Sequence, residues 1–136
     1  MAVVETLLRA ENDGTISFGN HKLAQKAKLE DFEHAGDLYK VKTYSTMTKL
    51  EKNGMFVYES VPGTTVHNFS VTDGKVEMKI EGTNDPQITL ELEPESEYKV
   101  YVDGVSIGSM KTNISGKLNL SVELGGRDSD VKIVKM

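Results

Sequence analysis

Apolar residues recur at every second position through much of the chain, and turn dipeptides break that pattern at short intervals. In KVEMKI, Val76, Met78 and Ile80 alternate with Lys75, Glu77 and Lys79. The same period runs through Ile88, Leu90 and Leu92, through Tyr98, Val100 and Val102, and through Val105 and Ile107. It returns at Leu118, Leu120, Val122 and Leu124, and again at Val131 and Ile133. Successive side chains of a strand point to opposite faces, so a period of two describes a strand with one face buried and one in water. Val66, Phe69 and Val71 carry the apolar bulk of a further strand, with a break of the size of a β-bulge. Asn53-Gly54, Asp73-Gly74 and Asp103-Gly104 supply the residues that accept positive φ in tight hairpins. Asn12-Asp13-Gly14, Ala35-Gly36-Asp37, Ser115-Gly116 and Gly125-Gly126 punctuate the rest. Short strands at regular spacing predict an all-β sandwich or barrel.

The first half is less regular. TISFG and LYKVKTY read as strands, and EKNGMFVYESV reads as a hairpin. In KLAQKAKLEDFEH, Leu23, Ala24, Ala27 and Phe32 partly fit helical spacing, whereas Leu23, Ala27 and Leu29 fit alternation. Strand or loop is the preferred reading. Pro62-Gly63 is the best boundary, giving a β-rich N-terminal region over residues 1–62 and a β-sandwich module over residues 63–136, with the two in contact. Val3, Val4, Leu7 and Leu8 in VVETLLRA are too apolar for a lone exposed strand. They predict a covering surface, first from the N-terminal half of another copy and otherwise from the C-terminal module of the same chain.

The segment LEPESEYKVYV, Leu92 to Val102, has the spacing L-x-P-x-x-x-Y-x-V-x-V. It resembles the tyrosine-corner segment of fibronectin type III and related immunoglobulin-like domains. The resemblance implies that Leu92 closes one strand into the core, that Pro94 sits in the crossover between sheets, and that the Tyr98 hydroxyl returns to backbone near Leu92 to Glu95. It implies an immunoglobulin-like C-terminal half, similar to the non-catalytic accessory modules of bacterial extracellular enzymes. More strand-like sequence follows Tyr98 than the fibronectin type III pattern has. With KLEKNGMFVYESVPGT, the whole chain also resembles small clostridial proteins named "endosialidase". The chemistry of that name does not fit. Sialidases hold the substrate carboxylate with three Arg on a large propeller, and this chain has two Arg, Arg9 and Arg127, and no Trp. In 136 residues there is no room for a propeller.

Composition narrows the remaining chemistry. A net charge of −5 without a basic stripe argues against nucleic acid. The absence of Cys removes disulfides, thiolate nucleophiles and Cys-ligated zinc. No stretch approaches the ~20 apolar residues of a membrane span, and MAVVETLLRAENDG lacks the form of a signal peptide. The expectation is cytoplasmic synthesis, no membrane partner, and assembly into a surface, spore or virion-like structure.

Glu91, Glu93, Glu95 and Glu97 read as the solvated face and turn of a strand, because carboxylates on one strand do not converge on a metal. A calcium loop would need help from GRDSD or Asn84-Asp85. His21, His34 and His67 lack zinc spacing. DFEHAGD, around His34, reads as an acidic loop. No nucleophile elbow or phosphate loop occurs, so no catalytic residue, metal site or cofactor is predicted. Tyr44, Tyr58 and Tyr101 are the candidate exposed rings for a sugar partner, although strand tyrosines more often pack across strands. The resulting expectation is a non-enzymatic structural or interaction protein that acts by self-association, as a homo-oligomer, or by partner binding. A carbohydrate-binding module is the first alternative and a small hydrolase the second.

Overall fold

The computed structural model describes residues 3–125 and 127–136. Gly126, half of the expected Gly125-Gly126 turn, lies outside the described residues. The protein is all-β: two antiparallel sheets pack face to face as a sandwich, and no helix occurs among the described residues. The strands are β1 (Leu8–Ala10), β2 (Ile16–Phe18), β3 (Ala27–His34), β4 (Asp37–Thr43), β5 (Thr48–Lys52), β6 (Met55–Val61), β7 (Thr65–Thr72), β8 (Lys75–Glu81), β9 (Gln87–Glu91), β10 (Glu97–Val102), β11 (Val105–Lys111), β12 (Lys117–Ser121) and β13 (Ser129–Lys135). Sequence order becomes spatial order β1-β2-β7-β8-β13-β10-β11 in a seven-stranded sheet and β12-β9-β6-β5-β4-β3 in a six-stranded one. The segment that partly fitted helical spacing folds as β3 from Ala27 onward.

Alternation places the core. Val76, Met78 and Ile80 of β8, Val131 and Ile133 of β13, and Tyr98 and Val100 of β10 form one inner face. Ile88 and Leu90 of β9, Leu118 and Leu120 of β12, and Val41, Leu50 and Tyr58 oppose them from the other sheet. Phe18, Tyr58 and Phe69 pack edge to face, with Phe18 5.3 Å from Tyr58 and 5.7 Å from Phe69. Such contacts add to the area that aromatic rings bury. The apolar break in β7 is a register shift between His67 and Ser70, with Asn68 at φ 54°.

The boundary at residue 62 falls between β6 and β7, where the chain passes from the six-stranded to the seven-stranded sheet. Across it, β2 pairs with β7 and β6 pairs with β9, so each sheet holds strands from both sides. The apolar N-terminal segment finds its cover inside the chain. Val4 and Leu8 are buried in the core, the Val4 N–H donates to the Gly19 carbonyl, and the Gly19 N–H donates to the Leu7 carbonyl. No second copy is needed to shield those side chains, and this corrects the expectation that another copy supplies the cover first.

The chain crosses between sheets at the segment Leu92 to Ser96. Tyr98 is 3% exposed, and its hydroxyl accepts the Glu93 N–H at 3.2 Å. Thr112 braces the same crossover, donating to the Glu93 carbonyl and accepting the Ser96 N–H. Leu92 is half-buried against the core, and Pro94 is exposed at the turn.

Candidate functional site

The three candidate tyrosines do not converge. Tyr58 is fully buried, and its hydroxyl bonds to Thr64 Oγ1 at 2.8 Å. Burial pushes that phenol up to about 12. A ring with no exposed face offers nothing to a sugar, so Tyr58 is a core residue and not a binding one. Tyr58, expected as an exposed ring, points inward from β6 with Ser60. Tyr44 follows β4 and is half-buried, its N–H bonded to the Met47 carbonyl. Tyr101 sits in the other sheet. It lines a shallow groove of about 550 Å³ with Asn68, Glu77, Lys79, Asp130 and Lys132.

That groove runs across β7, β8, β13 and β10 on the outer face of the seven-stranded sheet. Register explains its chemistry. Lys132 stands opposite both Glu77 and Tyr101, and Asp130 stands opposite Lys79. Lys132 Nζ lies 5.2 Å from the Tyr101 ring centre, and Lys79 Nζ lies 3.6 Å from Asp130. Two cations and two carboxylates cancel, so the groove has polar groups but no net field for an ion.

Glu91, Glu93 and Asp85 are occupied locally. Glu91 pairs with Lys117 at 3.0 Å, and Glu93 pairs with Lys135. Asp85 accepts the Leu124 and Gly125 N–H groups, which commits it to a loop and not to an ion. No group of three or more His, Asp or Glu side chains among the described residues is arranged to hold a metal. His34 ends β3, and its Nε2 lies 3.0 Å from the Gly14 carbonyl.

A buried polar region was not legible beforehand. His21 and His67 both pack inside, with His21 Nδ1 2.8 Å from Thr65 Oγ1 and His67 Nε2 3.7 Å from Glu81. Burial lowers the His21 imidazole below its ordinary value, with Glu81 opposing that shift and Lys22 and His67 adding to it. Beside it, Thr43 and Thr48 join hydroxyl to hydroxyl, as do Ser60 and Thr64, and the Thr48 hydroxyl donates to the Thr64 carbonyl beneath the β6–β7 crossover. These groups satisfy each other and present nothing to solvent.

The sheet edges differ in how they are guarded. A free edge exposes N–H and C=O groups that pair readily with another strand, and proteins blunt it with charge, shortness or distortion. β1 has three residues and β12 has five. β3 is longer but carries Lys28, Glu30, Asp31 and Glu33, and Asp31 has φ 55° within a register shift. β11 has seven residues, six of them uncharged in a row from Val105 to Met110. Val105 is 65% exposed and Ile107 47% exposed. Both were expected to alternate into a buried face. They do not, because nothing covers either face of β11 from Val105 to Ser109, and Met110 alone of its apolar residues packs against the core. The run of six neutral residues beside a charged surface was the available signal.

The chain matches no protein-family model, no curated protein and no solved structure.

Proposed function

We propose that this protein is a non-enzymatic interaction module that works by adding a strand at the β11 edge. The observation that carries the reading is an edge strand that is uncharged from Val105 to Met110 and exposed on both faces from Val105 to Ser109, in a sandwich whose other edges are short or charged. Strand addition draws affinity from main-chain hydrogen bonds and specificity from alternate side chains. A sandwich with its acids tied to lysines and loop amides suits a structural part of a surface, spore or virion-like assembly. The immunoglobulin-like kinship of residues 63–136 belongs to the same reading. Its support is the crossover at Pro94, where the Tyr98 hydroxyl meets main chain.

The test is a synthetic peptide of residues 103–111 titrated into the labelled protein while amide resonances are followed. The expected result is shifts concentrated in β11 and the adjoining β10. No shifts up to millimolar peptide, or shifts confined to a different surface, contradict the reading.

A second reading, a carbohydrate-binding module, draws on the Tyr101 groove. A half-exposed ring among balanced polar groups suits a neutral, hydroxyl-rich ligand better than an ion. Titration with soluble oligosaccharides, in the protein and in Tyr101→Ala, tests it: binding must be present in the first and lost in the second.

A further inference from the structure

We propose that Asn53 is a modification site, where spontaneous loss of the side-chain amide unfastens the β5–β6 hairpin from the β3–β4 hairpin. Asn53 and Gly54 are exposed at the tip of the β5–β6 hairpin, with φ 53° and 78°. Positive φ at both central residues is the geometry of a type I′ turn. Main chain and side chain of Asn53 both reach across to the start of β4. The Asn53 N–H donates to the Leu38 carbonyl at 2.7 Å, and Asn53 Oδ1 accepts the Leu38 N–H at 3.0 Å. Asn53 Nδ2 donates to Asp37 Oδ1 at 2.9 Å, and Asp37 Oδ2 lies 3.5 Å from Lys52 Nζ. One amide thus ties the β5–β6 turn to the residue that follows the β3–β4 turn.

That amide is set up to react. Of the seven asparagines, Asn53 alone precedes a glycine. A Cβ at Gly54 would meet nothing within 4 Å, so the Gly54 nitrogen is screened neither by a side chain nor by neighbours. A type II′ turn keeps positive φ at its first central residue, and Gly54 accepts either sign of φ. The peptide joining the two residues can therefore flip within the hairpin, which swings the Gly54 nitrogen toward Asn53 Cγ. The nitrogen gives its proton to hydroxide and bonds to Cγ. Negative charge builds on Oδ1, the atom that accepts the Leu38 N–H, and a donor there stabilises it. Nδ2 leaves as ammonia, taking its proton from water. Water then opens the cyclic imide at either carbonyl, giving aspartate or isoaspartate at position 53. The net change is one water gained and one ammonia lost. The new carboxylate has no hydrogen to offer Asp37, so two like charges meet where a hydrogen bond stood, and like charges facing each other across strands destabilise a sheet.

The reaction is tested on the native protein, held folded in mildly alkaline buffer made with heavy-oxygen water and followed by peptide mapping. The expected result is amide loss at Asn53 ahead of the other six asparagines, with heavy oxygen incorporated and two separable products. Amide loss that begins at another asparagine, or that occurs at Asn53 only in the denatured chain, overturns the proposal. The unfastening is tested with variants that need no incubation. Asp-Gly also suits a type I′ turn, so Asn53→Asp keeps the hairpin while reproducing the charge. Asn53→Asp lowers the thermal midpoint, and combining it with Asp37→Asn restores the midpoint, because amide and carboxylate have then changed places. An Asn53→Asp variant as stable as the native chain, or a double variant no more stable than Asn53→Asp alone, shows that the amide fastens nothing and overturns the proposal.

Discussion

The Tyr98 hydroxyl accepts the Glu93 amide where the chain leaves the six-stranded sheet for the seven-stranded one. Replacing it with Phe keeps the ring in the core and strips the amide of its acceptor. Leaving such a group unmet costs on the order of 1 kcal/mol, so Tyr98→Phe lowers the thermal midpoint by about 3–5 °C. An unchanged midpoint in calorimetry means the corner does not depend on that bond. His21 acts through protons. Its folded-state imidazole lies below the ordinary 6.5 because burial disfavours the cation. The unfolded chain takes up that proton first, so stability falls as pH drops through 6.5 and keeps falling until the folded-state value is passed. The depressed carboxylates Glu11, Asp13, Glu30 and Asp37 also lose stabilisation on acidification, but only below about 4.5. Denaturation midpoints between pH 7 and 5.5 thus decline, and His21→Asn flattens that decline while keeping a polar partner for Thr65. An equal slope in both proteins contradicts the assignment.

At the scale of elements, strands were legible wherever one face meets core and the other meets water. Val76, Met78 and Ile80 alternate because β8 lies inside its sheet with an exposed outer face. The same rule misjudged β11, whose apolar residues alternate without a buried face, since alternation reports periodicity and not what lies opposite. Nor does it place Tyr58: in MFVYESV the residues on either face are similarly apolar, and only packing against Phe18 and Phe69 decides which face goes in. The His21–Thr65–His67 cluster brings together residues far apart in the chain, and no local pattern marks such a meeting. Gly116 ties two elements together. Its carbonyl accepts the Leu92 N–H at 2.7 Å, its φ is 91°, and a Cβ there would stand 2.3 Å from the Leu92 carbonyl oxygen. Gly116→Ala must strain the backbone and part β12 from the corner. Strained positions of this kind cost about 1–3 kcal/mol before any clash is added, so the variant is less stable in urea than Tyr98→Phe. Equal or greater stability means the loop moves aside freely.

Across the whole molecule, the interior is complete within one chain, and the unfinished part is an edge. Val4 and Leu8 are covered from within, and the buried hydroxyls and the His21 imidazole meet partners of the same chain. β11 remains with Val105 and Ile107 in solvent. Substituting an exposed residue there changes the stability of a single chain by less than about 0.5 kcal/mol, whereas it places a charge in the centre of a paired edge. Light scattering across a wide concentration range, with the native chain and Ile107→Lys side by side, tests the association most directly. The native chain should exceed its 15.0 kDa mass as concentration rises, and Ile107→Lys should stay at 15.0 kDa with an unaltered thermal midpoint. A native chain that stays at 15.0 kDa throughout, or an Ile107→Lys variant that dimerises as readily, contradicts self-association through β11.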